Sequence, residues 1–239
     1  MKLATRTVGE GSRSAALVHG ASMSSDAWRE FVPYLLELDL TLTLVDLRGH
    51  GDSPRADSYR IDEFVDDLVD TLPQGLDLLI GQSLGGLTAA WAAPLLKPKR
   101  FIGIDPAFSI DRKSLFLLRL LGPIQPKLPD FLLRRLGLPP KGSPPDMLAR
   151  IHAMWAKWDT ASVRDVTKSA AEHPFPAGPP SVPSTIVLAD PSTATPPAFA
   201  DALRTQGWDV RVIAGGGHDL HQEDPGGLAE VLRDVLVAR

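Results

Sequence analysis

Short apolar runs alternate along this chain with longer stretches whose apolar residues return every three or four positions. Ala15-Ala16-Leu17-Val18, Leu40 to Val45, Leu76 to Gln82, Phe101 to Ile104, Thr185 to Ala189 and Asp209 to Ile213 read as strands. Between them, Trp28, Phe31, Val32, Leu35 and Leu36 predict a helix reaching about Leu38. Ile61, Phe64, Val65, Leu68, Val69 and Leu72 predict an amphipathic helix stopped near Pro73, and further helices are expected over Leu84 to Leu96, Pro197 to Gln206 and Asp224 to Val237. Asp224-Pro225 is a good N-cap followed by proline at the first helical position. Residues 2 to 8 are expected to pair with the Ala15 run as an edge hairpin. Strands and helices in alternation imply an α/β fold with a mostly parallel, doubly wound sheet, and ligands of such sheets gather at the carboxyl ends of the strands.

The rhythm changes between about Ala107 and Pro183. Helical patterns at Lys113 to Leu121, Pro129 to Leu136, Asp146 to Trp158 and Ala161 to His173 follow one another across proline-rich joints, with no convincing strand. The expected organisation is therefore an α/β core from residues 1–106 and 184–239, with residues 107–183 inserted as a helical cap.

Composition narrows the class. The 239 residues suit one domain with an inserted subdomain and can bury a substantial core. Net charge is −4 and the 25 Lys and Arg are mostly scattered, so no phosphate-tracking stripe is evident and no nucleic-acid partner is expected. No run is long and apolar enough for a membrane span and no signal segment is evident, so a soluble, cytoplasmic protein without a membrane partner is expected. With no cysteine, disulfides and thiolate chemistry are excluded. No His, Asp and Glu set has metal-ligand spacing, and Gly215-Gly216-Gly217 has neither a dinucleotide fingerprint nor a P-loop lysine beside it, so neither metal nor cofactor is expected.

The chemistry centres on Gly81-Gln82-Ser83-Leu84-Gly85-Gly86, which follows a buried strand run and leads directly into a helix. A strand turning this sharply into a helix projects its middle residue and strains that residue's dihedrals. Glycines two before and two after are required because the neighbouring backbones leave no room for a Cβ. Ser83 is the expected nucleophile. Together with His19-Gly20-x-x-x-Ser24-x-x-x-Trp28, Asp46-x-Arg48-Gly49-His50-Gly51-x-Ser53 and Gly217-His218, this motif resembles the α/β-hydrolase superfamily, in its capped branch of small esterases, C–C bond hydrolases and dehalogenases. The four motifs stand in that family's order and cover most of the chain outside the cap.

A serine hydroxyl needs an imidazole to take its proton, and the imidazole needs a carboxylate to fix its tautomer. The resemblance implies the order Ser, acid, His. His218, in the glycine-rich loop after the last strand, is the expected base. Asp190, which ends the Thr185 strand, is the expected acid, with Asp105 as the alternative because some relatives take the acid from the preceding strand. The resemblance further implies an oxyanion hole formed by the Ala21 and Leu84 N–H groups, the latter at a helix start whose dipole favours negative charge. It gives His19 a supporting role in the oxyanion loop and His50 one in a turn. His221, His152 and His173 are expected at the surface. His19, Phe108, Met154, Trp155 and Trp158 are candidate pocket residues, although aromatics at helical spacing also suit ordinary core.

The expected activity is hydrolysis of a small-molecule carboxylic ester through an acyl-serine. A carboxylate-nucleophile dehalogenase is excluded by serine at position 83. A cofactor-free C–C bond hydrolase or thioesterase would use the same triad, and a ligand-binding protein without turnover is the alternative from outside the enzymes. Substrate identity and oligomeric state are not written in these motifs.

Overall fold

A computed structural model describes residues 1–135, 138–139 and 143–238. Seven strands, β1 (Thr5–Val8), β2 (Arg13–Val18), β3 (Leu40–Val45), β4 (Leu78–Gln82), β5 (Arg100–Ile104), β6 (Ser184–Leu188) and β7 (Asp209–Val212), form one sheet in the order β1-β3-β2-β4-β5-β6-β7. All neighbours are parallel except β1, which runs antiparallel to β3. The expected hairpin of residues 2 to 8 with β2 is therefore corrected. Both edges of β2 are taken by parallel neighbours, β3 and β4, and only the outer edge of β3 remains for the N-terminal segment.

The helices are α1 (Val32–Leu36), α2 (Ile61–Thr71), α3 (Ser83–Leu96), α4 (Arg112–Leu121), α5 (Asp130–Arg135), α6 (Met147–Ala156), α7 (Ser162–Glu172), α8 (Pro197–Thr205), α9 (Leu220–Glu223), α10 (Pro225–Val231) and α11 (Arg233–Val237). The single helices expected near Trp28 and after Asp224 are each divided. A 3₁₀ turn, Ser25–Trp28, precedes α1, and the C-terminal helix breaks between α10 and α11. The Asp224 cap is present, its carboxylate accepting from Gly227 N–H at 3.0 Å. Between β5 and β6 the described residues form no strand; their regular elements are α4 to α7 and a 3₁₀ stretch, Gly122–Lys127, after α4, and Leu136, expected to close α5, lies outside the described residues.

Strand periodicity decides which face each side chain joins. Ala16, Val18 and Leu79 point into the cluster containing Leu68 of α2, Leu84 and Ala89 of α3, and Leu203 of α8. Ala15, Leu17, Leu78 and Ile80 point the other way, against Trp28, Phe31, Leu35, Leu228 and Leu232. With both faces covered, β4 is buried throughout. A smaller core of Leu133, Leu148, Trp155 and Trp158 holds the inserted helices together.

The insertion is fastened to the sheet through the Asp46–Ser53 loop and its surroundings. Asp159 N–H donates to Gly49 O at 2.7 Å, Tyr59 Oη donates to Asp159 at 2.7 Å, and Lys157 pairs with Asp52 at 2.7 Å. Ile61 N–H at the start of α2 donates to Ser169 Oγ of α7 at 3.0 Å. Trp158 stacks on His50 with centroids 6.2 Å apart.

Candidate active site

Three loops converge at the carboxyl edge of β4, β5 and β7. Ser83 has φ of +50°, a left-handed conformation that a non-glycine residue adopts only under constraint. The constraint is visible in its glycine neighbours. A Cβ on Gly81 would lie 2.4 Å from Gly85 O, and one on Gly85 would lie 2.2 Å from Val18 O. Strand and helix can approach this closely only without those side chains.

His218 Nε2 lies 3.0 Å from Ser83 Oγ, and its Nδ1 lies 2.5 Å from Asp105 Oδ2. This geometry corrects the expected acid. Asp190 is exposed at the end of β6 and contributes its backbone, N–H donating to Gly216 O at 3.1 Å. Asp105 is 1% exposed, and its Oδ1 accepts from Ala189 N–H at 3.2 Å. Its loop is tied to the elbow, because Ala107 N–H donates to Ser83 O at 3.0 Å. Burial lowers the pKa of His218, but the Asp105 hydrogen bond and the charges of Asp219, Asp105 and Glu223 outweigh it and the net shift is upward.

Gly20 packs directly on the elbow, since a Cβ there would meet Gln82 Oε1 at 2.2 Å and Ser83 Cβ at 3.2 Å. Ala21 follows it. Leu84, second in α3, stands in the first turn, where N–H groups have no intrahelical carbonyl to bond. His19 is fully buried; its Nδ1–H donates to Gly20 O at 2.7 Å and its Nε2 accepts from Leu47 N–H at 3.0 Å. Burial holds its pKa below the ordinary histidine value. It is thus a neutral pin between two motif loops rather than a pocket wall. His50 does the same work one loop further on, donating to Arg48 O and accepting from Ser22 N–H, with burial lowering its pKa to about 3. Asp46 clamps both loops, accepting from Ser25 N–H at 2.6 Å and Asp52 N–H at 2.9 Å.

Several expected placements change. His221 is fully buried, its ring 4.6 Å from that of Trp28, and burial lowers its pKa to about 3. It is the second residue of α9, which packs against the 3₁₀ turn that carries Trp28. Phe108 stacks on Phe175 with centroids 4.1 Å apart and joins Trp208 in the main core. Trp155 and Trp158 form the core of the insertion, and Trp158 Nε1–H donates to Ser162 Oγ at 3.0 Å. Met154 borders a cleft of about 340 Å³ with Ser24, Asp46, Asp52 and Lys157, and none of Ser83, Asp105 or His218 lines it. These aromatics met the requirement of burial by packing on one another.

Two residues escaped sequence reasoning. Gln82, 1% exposed, donates from Nε2 to His218 O and to Asp219 Oδ1, both at 3.2 Å. Asp219 N–H in turn donates to Glu223 Oε1 at 3.1 Å, and burial, with the charges of Glu223 and Asp105, lifts the Asp219 pKa to about 6 against the opposing effect of His218. The adjacency of both to motif residues was the available signal.

A strained serine on a strand-to-helix turn, a histidine from the loop after the last strand and a buried carboxylate define an α/β-hydrolase type of site. The chain belongs to the Alpha/beta hydrolase family, whose model matches residues 16–231. Among curated relatives, it is similar to pimeloyl-[acyl-carrier protein] methyl ester esterases, 38% identical over 98 residues to that of Edwardsiella ictaluri and 35% over 88 residues to that of Sodalis glossinidius. These matches cover 41% and 37% of this chain, and the chain spans only 37% and 34% of those relatives. The fold is shared with an esterase of Exiguobacterium antarcticum, with TM-score 0.80, 16% identity, and coverage of 99% of this chain and 96% of that one. It is shared likewise with the enol-lactonase of Burkholderia xenovorans LB400, with TM-score 0.78, 19% identity, and coverage of 99% and 96%.

Proposed function

We propose that the protein is a serine hydrolase of small carboxylic esters working through an acyl-serine intermediate. The observation that carries this reading is the continuous relay Ser83 Oγ–His218 Nε2, His218 Nδ1–Asp105 Oδ2, at 3.0 and 2.5 Å. His218 Nε2 takes the Ser83 proton as Oγ attacks the carbonyl carbon, and the resulting oxyanion is held by the N–H groups of Leu84 and Ala21. His218 then returns the proton to the departing alcohol. Water then attacks the acyl carbon as His218 takes its proton, and collapse of that intermediate breaks the bond to Ser83 Oγ, which recovers its proton from His218 as the acid departs. Asp105 holds the Nδ1–H tautomer and stabilises the imidazolium formed twice in each cycle.

Residues 107–183 act in this reading as a cap over the site. The names of the partial relatives support ester substrates, methyl esters among them. A cytoplasmic location suits the absence, among the described residues, of a helix long and apolar enough to cross a membrane.

The test is hydrolysis of p-nitrophenyl acyl esters of graded length by wild type and Ser83→Ala, with fluorophosphonate labelling of both. Removing one triad member should lower kcat by about 10⁴-fold or more and abolish labelling. Equal turnover by the two proteins would refute the assignment. Labelling without ester turnover would point to a thioester or C–C substrate, and an unlabelled wild type to a binding protein.

A further inference from the structure

We infer that the α4–α5 face of the inserted helices is a peripheral docking surface for an anionic lipid bilayer. The helix α4 is attached by one narrow side. Leu115 is buried, and Gly122 at its end packs against Val163 of α7, where an added Cβ would lie 3.2 Å from Val163 Cγ1. The opposite side presents Phe116, Leu117, Leu118, Leu120 and Leu121, all exposed, Phe116 by 64% and Leu120 by 58%. At about 100° per residue these five side chains sweep roughly 200° of the helix circumference, the whole outward half. Ile124 follows in the next turn, and Phe131 on α5 is 73% exposed. A soluble protein seldom leaves so many large apolar side chains together in water without a use for them.

Charge identifies the occupant. The chain as a whole is acidic, yet the stretch from Arg112 to Arg135 holds Arg112, Lys113, Arg119, Lys127, Arg134 and Arg135 against the single carboxylate Asp130. All six cations are exposed, and among the described residues none of them forms an ion pair; Asp130 is bonded to His152 instead. Apolar side chains on a convex helix, flanked by long cations free to reach outward, match the boundary between acyl chains and anionic headgroups. A second copy of this chain would bring the same positive charge to the contact, which opposes self-association here. The sequence-based expectation of no membrane partner rested on the lack of a spanning segment, and surface docking needs none.

The experiment is co-sedimentation of the full chain with vesicles of phosphatidylcholine alone and of phosphatidylcholine with phosphatidylglycerol, at low and high salt. Wild type should bind the anionic vesicles, weakly bind the neutral ones, and lose binding as salt rises. Phe116→Glu with Leu120→Glu should lower partitioning at least tenfold, and Arg134→Gln with Arg135→Gln should lower it about fivefold per cation removed. Circular dichroism melts and turnover of a soluble ester, expected unchanged, show that both variants remain folded. Binding is read independently of turnover, so failure of the ester assignment and failure of docking are separate results. Absence of wild-type binding to anionic vesicles, or binding indifferent to salt and to both pairs of substitutions, would overturn the inference. So would a wild-type dimer that Phe116→Glu converts to monomer without any vesicle binding, or retention on an acidic protein alone.

Discussion

Replacing Asp105 by Asn tests the part of the site that geometry and chain order assign differently. In the native site Asp105 Oδ2 accepts from His218 Nδ1 at 2.5 Å, which leaves Nε2 unprotonated and facing Ser83 Oγ at 3.0 Å. An amide at position 105 that turns its NH₂ toward Nδ1 reverses the tautomer. Nε2 then carries the hydrogen and cannot take the serine proton. The carbonyl oxygen of the same Asn can still accept from Ala189 N–H, as Oδ1 does now at 3.2 Å, so the β5–β6 junction keeps its bond. The expected loss is about 10⁴-fold in kcat, equivalent to roughly 5.4 kcal/mol of transition-state stabilisation at 1.36 kcal/mol per decade.

Asp190→Asn is the control. Its side chain is exposed and its structural bond to Gly216 O comes from the backbone, so a surface effect of about 0.5 kcal/mol, or twofold, is the ceiling. Both variants and wild type should be assayed with p-nitrophenyl butyrate over a range of substrate concentration, with Ser83→Ala setting the background. If Asp190→Asn loses as much activity as Asp105→Asn, or more, the relay described here is not the working one.

Other perturbations probe the surroundings. The upward shift of His218 places the acid limb of kcat/KM above the ordinary imidazole value of 6.5, because turnover requires the neutral ring. The Asp219 charge contributes to that shift, so Asp219→Asn should move the limb to lower pH in a pH–rate profile, and a limb that stays put would dismiss the contribution. Gln82→Leu keeps the volume but removes both donors to the histidine loop. It should reduce kcat by about 5- to 150-fold, the range of 1–3 kcal/mol for leaving buried acceptors unpaired, with little change in KM. Asp67 holds Arg48 through two bonds, at 2.6 and 2.9 Å, with neither side chain more than 8% exposed. Asp67→Ala removes both bonds and leaves Glu63, 3.1 Å from the guanidinium, as its remaining carboxylate, so it should lower unfolding free energy by about 1–3 kcal/mol in urea titrations, while an unchanged midpoint would show the pair to be dispensable.

Local patterns in the sequence predicted what local forces decide. The six parallel strands, the amphipathic α2 and the glycine-flanked elbow follow from periodicity and from backbone crowding, and each lies within a residue or two of its expected place. What escaped was set by partners distant in sequence. The partner of β1 depended on which sheet edge was free. The burial of His221 depended on where α9 docks, and its neighbour Trp28 is nearly two hundred positions away in the chain. Phe108, Trp155 and Trp158 could have lined a pocket on pattern alone, but Phe175 and Trp208 claimed the faces of Phe108, His50 that of Trp158, and His152 meets Trp155 edge-on.

The acid shows the same limit in its sharpest form, because Ile104-Asp105-Pro106 and Ala189-Asp190-Pro191 are one motif twice: an apolar strand end, an aspartate and a proline. No rule confined to a few residues separates them. The sheet does, since β5 lies beside β4 whereas β6 lies one strand further out. The loop leaving β5 can therefore bond the elbow directly, through Ala107 N–H and Ser83 O, and that bond brings the Asp105 carboxylate in beneath the imidazole. The loop leaving β6 meets the histidine loop instead, through Asp190 N–H and Gly216 O, and spends its aspartate's backbone on supporting the base while the carboxylate faces water. Each aspartate thus serves His218, one by charge from below and one by fixing the turn that carries it. Shortening the Asp190 side chain, as in Asp190→Ala, should consequently leave turnover nearly intact, because the bond to Gly216 O comes from the backbone.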